Sequence, residues 1–348
     1  MSQPATLIII VALLVLAGFS IVRFLVNFDQ LESLAEEYRV IGTQARSSTE
    51  KSTTEAITRA AEASSILPEP PEVAVWLGPL NHYRAMVGLA PVTANEQLSH
   101  GDALHAHYLA LNYAAQGSAL RLGADAHTED PAKPGFTPEG ASAARTSDID
   151  WIWNPRSWPH ARWAISNWMQ VPFHRMQIIS PYLRRVGYGT DCQDSVCFAA
   201  LNTGIDLDRP PEIPKAWPRP LTYPPDGSVI DRGEFSAEWP DPLTSCPGYA
   251  PPAGLPITLE LGHLIVPGFS NYSIKDAENN EVEACAFDAN SYVSPDTMAQ
   301  INTRAILRDF GAIVIVPHKP LSPGQYSVTV TAGQRYSWSF SVRPLSGE

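Results

Sequence analysis

The stretch 80–112, LNHYRAMVGLAPVTANEQLSHGDALHAHYLALN, holds the end of one helix, a short link and a second helix. Trp76, Leu80, Tyr83 and Val87 recur at steps of four, three and four residues, the apolar stripe of a helix. Gly88 stops that helix, and Leu89-Ala90-Pro91-Val92 reads as an extended link. The second helix is expected over about 95–112, with Leu98, Ala103, Ala106 and Ala110 small enough to press close against a sheet. A third is expected near 161–169. Residues 186–190 and 196–201 then read as two strands joined at 191–195, with Cys192 and Cys197 flanking the turn so that a disulfide would staple it.

Working toward the N-terminus, residues 5–22 (ATLIIIVALLVLAGFSIV) run for 18 positions without a charge. Arg23 interrupts, and apolar character resumes to Phe28. A spanning helix needs roughly 20 such residues. No basic stretch precedes the run and no A-x-A-like cleavage site follows it, so 1–28 is expected to be a retained anchor. Arg23 and Arg39 weakly favour a cytoplasmic C-terminal side. Two pairable sets of cysteines, Cys192 with Cys197 and Cys246 with Cys285, favour an oxidising compartment and outweigh one arginine. The expected location is the bacterial cytoplasmic membrane, single-pass, with the C-terminal domains in the periplasm.

Residues 29–72 read as a helical stalk and polar linker. Leu31, Leu34, Tyr38 and Ile41 form one helical stripe suited to a partner subunit or the membrane surface, and Asp29 and Glu32 suit the start of that helix. Polar 47–65 follows, and LPEPPE at 67–72 ends any helix.

The chain has 348 residues, 44% of them hydrophobic and 17% charged, with a net charge of −12 and no basic run, which excludes a nucleic-acid binder. Many of its 32 prolines cluster from Pro210 onward, marking 207–222 as an extended linker. Beyond it, 223–348 shows strand candidates at 255–265, 270–276, 282–287, 311–316, 325–331 and 336–342, separated by Gly, Pro and Asn turns as in a β-sandwich.

Three segments in order carry a resemblance: the opening stretch above, AHTEDPAKPGFTPEGASAARTSDI at 126–149, and WMQVPFHRMQIISPYLRRVGYG at 168–189. Together they resemble the bacterial branch of the CAP superfamily of cysteine-rich secretory and pathogenesis-related proteins. The resemblance implies an α/β/α sandwich over 73–206, within a chain of α+β class. PHKPLSPGQYSVTVTAGQRYSWSFSV at 317–342 resembles the last strands of bacterial Ig-like domains, with Tyr326 as the inward aromatic.

The CAP resemblance places His127 and His174 in a central cleft that can hold a divalent ion, with Glu139 matching one family acid. The second acid should fall in ARWAISNWMQ, 161–170, which has none. His127, Glu139 and His174 are therefore the candidate metal and catalytic residues, in a cleft expected to hold no resident cofactor. No G-x-S-x-G or H-E-x-x-H occurs, and S-x-x-K at Ser48 to Lys51 lies in the polar spacer. His100, His105 and His107 read as surface or rim histidines. Trp151, Trp153, Trp158, Trp163 and Trp168 cluster, and Trp151 and Trp153 are the candidate docking surface. The expected function is a binding or structural protein, an accessory subunit of a membrane assembly, rather than an enzyme. The alternatives are an envelope hydrolase or metal-dependent enzyme, and a lipid or sterol carrier.

Overall fold

The computed structural model describes residues 71–153, 160–203, 217 and 219–343. The anchor, the stalk with Leu31, Leu34, Tyr38 and Ile41, and Trp158 lie outside them. No helix among the described residues is long and apolar enough to cross a membrane. The class is α+β, and the described residues pack as one compact unit.

Helix α1 (Pro71–Met86) ends at Gly88, whose φ of +68° suits a residue without a side chain. Asn81 pins the link that follows: its Nδ2 donates to the Val92 carbonyl and its Oδ1 accepts from the Val92 amide. Arg84 is buried and donates to the carbonyls of Ala90, Ile178, Ser180 and Leu183, which explains an arginine inside an apolar stripe. Strand β1 (Thr93–Ala94) leads into α2 (Glu96–Tyr113), capped by the Asn95 side chain accepting from the Leu98 amide.

After α3 (Pro138–Ala144) come β2 (Ser147–Trp153), α4 (His160–Trp168) and α5 (Pro172–Ile178), then the hairpin β3 (Arg185–Gln193) and β4 (Val196–Asn202). Asp194 and Ser195 both have positive φ, the signature of a tight two-residue turn, and the Cys192–Cys197 disulfide spans it. These strands form a sheet in the order β1-β3-β4-β2. Strand β4 alternates: Phe198 and Ala200 pack with Ala106, Leu109 and Ala110 of α2, while Ala199 and Leu201 join a core with Leu80 of α1 and Ile165 of α4. Helix α2 lies very close to β3, because a Cβ at Gly189 would sit 2.1 Å from the Ala103 amide nitrogen. The glycines of Val-Gly-Tyr-Gly exist to permit that approach.

The later strands build two further four-stranded sheets. One runs β10 (Asn271–Lys275), β13 (Gly324–Ala332), β14 (Gln334–Val342), β6 (Ser228–Ile230); the other runs β11 (Ala284–Phe287), β12 (Ala312–Pro317), β9 (Ile257–Glu260), β5 (Leu221–Tyr223). Strand β5 begins inside the stretch expected to be linker. Val328, Val330 and Phe340 of one sheet and Ile257, Leu259, Ile313 and Ile315 of the other share a core with Trp76 and Leu80, so both halves of the chain use the same apolar interior. The Cys246–Cys285 disulfide ties the entry of this half to β11.

One long element was not expected here: α6 (Thr297–Phe310). Asp296 caps it by accepting from the Met298 and Ala299 amides, and Gly311 ends it at φ +56°. Its Leu307 and Phe310 pack on Val314 and Val316 of β12, together with Phe173 and Met176 of α5.

Candidate functional site

A cleft of about 590 Å³ lies where the two halves meet. The first half supplies His127, Asp150, Trp151, Trp163, Asn167, Trp168 and His174; the second supplies Arg232, Glu234, Ser236, Glu238 and Trp239. Trp163 and Asn167 stand four residues apart on α4, one helical face, and Gln170 and His174 continue the wall toward α5. The short pair β7 (Glu234–Phe235) with β8 (Ala253–Gly254) carries the chain into 236–239, which crosses the start of α5.

The segment's acid, Glu238, does the connecting. Its side chain is fully buried, and its Oε1 accepts from the Phe173 amide at 2.9 Å, the His174 amide at 3.1 Å and His174 Nδ1 at 2.7 Å. Burial by itself would lower the His174 pKa. Asp148, Glu238 and Asp150 together outweigh burial and hold His174 at about 9, so at neutral pH it is cationic. Burial pushes Asp148 up to about 7 and Asp150 up to about 7, each opposed by the His174 charge. Asn167 Nδ2 donates to Asp150 Oδ2 at 3.4 Å.

His127 is the counterpart. Burial and the nearby His174 charge pull it down to about 4, so it is neutral. Its Nδ1 donates to the Ala144 carbonyl at 3.1 Å, which fixes the proton there and leaves Nε2 as an acceptor. The ring sits 5.9 Å, centroid to centroid, from Trp239. The cleft thus presents an imidazole acceptor and an imidazolium donor between indole rings.

His127 and His174 line the same cleft. Glu139 does not join them: it is exposed at the start of α3 and lines no part of the cleft. The reason is local, since Thr137 caps α3 and turns the residue after Pro138 outward to solvent. The acid beside His174 is Glu238, 64 residues later. Its only sequence signal is an acid next to an aromatic, Glu238-Trp239-Pro240, in an irregular stretch.

Among the described residues no group of three His, Cys, Asp or Glu is arranged to hold a metal ion, and Glu139, the third expected ligand, lines no part of the cleft. Among the described residues the cleft lining holds one hydroxyl, the exposed Ser236, and no base is aligned with it.

Of the three helix histidines, His107 is at the surface with Asp191. His105 is instead completely buried, Nδ1 on Glu129 at 2.9 Å and Nε2 on the Ala126 carbonyl at 2.8 Å, bracing the loop that carries His127. Trp151 lines the cleft, whereas Trp153 is 52% exposed and lies over Gly117 away from it.

No family model matches the chain, and no curated protein matches it. Among solved structures it is similar to CopC from Methylosinus trichosporium OB3b, at 14% identity and a TM-score of 0.21 over 36% of this chain and 93% of that one. It is also similar to PcoC, a methionine-rich copper resistance protein from Escherichia coli, at 16% identity and a TM-score of 0.20 over 35% and 93%. The selenomethionine form of PcoC gives 16% and 0.21 over 38% and 100%. Likeness at this level carries no argument about fold or function.

Proposed function

We propose that this is a membrane-tethered extracytoplasmic binding protein, a CAP-type domain fused to an Ig-like one, whose binding site is the cleft between its halves. The observation that carries the reading is the His174–Glu238 pair at 2.7 Å, which joins the two halves at the cleft wall. Ligand-binding sites favour such junctions, where apolar walls converge with a few fixed polar groups. The CAP-type reading is supported by helices on both faces of the first sheet and by two histidines in one cleft. The extracytoplasmic reading is supported by the two disulfides and by the apolar run 5–22. An accessory role in a membrane assembly fits the apolar stripe at Leu31, Leu34, Tyr38 and Ile41 and the exposed Trp153.

The test is a thermal-shift titration of the full chain, in mild detergent, with a soluble extract of bacterial envelope. Binding without turnover, weakened by Trp151→Ala, is the expected result. Consumption of an extract component at a rate that His174→Ala abolishes would make the protein an enzyme and contradict the reading.

A further inference from the structure

The cleft's lining narrows the ligand class. Three partly exposed indoles, Trp151, Trp163 and Trp239, wall it, and a fourth, Trp168, is buried behind them. An indole face carries negative quadrupole charge and suits a flat array of weakly positive C–H groups. Between those rings stand groups that bond hydroxyls: the acceptor Nε2 of His127, the donor Nε2–H of His174 and the carboxyl of Asp150. Arg121, Arg232 and His174 on the lining are matched in number by Asp150, Glu234 and Glu238, so neither sign of charge dominates the site.

An acyl chain or sterol would cover the indoles but strip water from the imidazoles and carboxyls and give them nothing in return. A nucleotide's phosphate would meet Asp150, Glu234 and Glu238 as well as Arg121, Arg232 and His174, so the lining gives it no net attraction. A pyranose ring satisfies both halves of the pattern, with C–H faces for the indoles and equatorial hydroxyls for the polar groups. The volume of about 590 Å³ holds a short oligosaccharide rather than one ring.

We infer that the cleft binds a neutral pyranose oligosaccharide, its rings laid on Trp151, Trp163 and Trp239 and its hydroxyls shared among His127, His174 and Asp150. This deepens the binding-protein reading and rests on it. The His174–Glu238 contact makes both halves necessary, and Glu238 acts as a positioning residue.

The experiment is a titration of the full chain in a zwitterionic detergent, because sugar-based detergents would compete. Chitotriose, cellotriose and maltotriose are added in turn and followed by tryptophan fluorescence and calorimetry; palmitate is the apolar probe. At least one trisaccharide is expected to saturate the signal at one site per chain. Trp239→Ala should weaken it about tenfold, and Trp239→Phe, which keeps a flat apolar ring, should lie between; an unchanged melt of either variant shows that folding is intact. No saturable binding by any trisaccharide at concentrations on the order of 10 mM, the weak end of specific recognition, would overturn the inference. Palmitate binding that Trp239→Ala weakens, without trisaccharide binding, would overturn it while leaving the binding-protein reading in place. Cleavage of a bound trisaccharide would keep the ligand class and overturn the binding-protein reading.

Discussion

Replacing Glu238 with alanine should unsettle both the cleft and the junction of the two halves. The side chain is fully buried and its Oε1 takes three donated hydrogen bonds, two from the backbone of Phe173 and His174 and one from His174 Nδ1. Alanine leaves two amides and an imidazolium without that partner. Removing one member of a buried pair costs about 3–5 kcal/mol. In a folded body of this size each kcal/mol moves Tm by roughly 2–4 °C, so Tm should fall by about 6–20 °C. Glu238→Gln keeps an acceptor for the amides and should lose less. Differential scanning calorimetry of the full chain reads the stability, and the His174 imidazole resonance followed against pH reads the pairing, with its midpoint expected to fall in both variants. A Glu238→Ala protein melting within about 2 °C of wild type, with the His174 midpoint unmoved, would refute the reasoning.

Stability should decline from pH 6.5 to pH 9. Asp148 and Asp150 at about 7, Glu260 at about 8 and His174 at about 9 all hold their protons longer folded than unfolded, so stability present at lower pH is lost as pH rises through those values. His127, pulled down to about 4, acts in the opposite sense only between about 4 and 6.5. Melting curves across this range check the sign, and a rise of Tm toward pH 9 would contradict it. Gly189→Ala would drive a Cβ into the Ala103 backbone and should destabilise the fold by about 1–3 kcal/mol in urea denaturation. Removing Cys246–Cys285, which closes a separation of 39 residues, should cost about 4 kcal/mol, against about 2 for Cys192–Cys197 with its separation of 5, by chain entropy; paired Cys→Ser variants in chemical denaturation measure the order.

The sequence makes local structure legible where one side chain controls it. Asn95 announces α2, the cysteines flank the β3–β4 turn, and the strand candidates from 255 onward each overlap an observed strand. Helix α6 is equally signalled, by Asp296, by Ala299, Thr303, Leu307 and Phe310 at helical steps, and by Gly311, but its signals are masked by the strand patterns on either side. The cleft was half legible. His127 and His174 stand in recognisable segments, but their acid does not lie in either one. Glu238 reaches His174 only because the second half folds back against α5, a long-range placement that no local spacing encodes. Arg175 shows the same limit: it lies in a recognisable segment, yet it donates to the Pro256 carbonyl and stacks over Tyr223, both in the later half.

Hydrogen–deuterium exchange of the full chain with and without the bound trisaccharide tests most directly that the two halves form one site. Slower exchange is expected in 121–127, 149–151 and 163–174 together with 232–239, segments that all contribute to this cleft. Protection confined to one half of the chain, or falling elsewhere on the surface, would contradict the account.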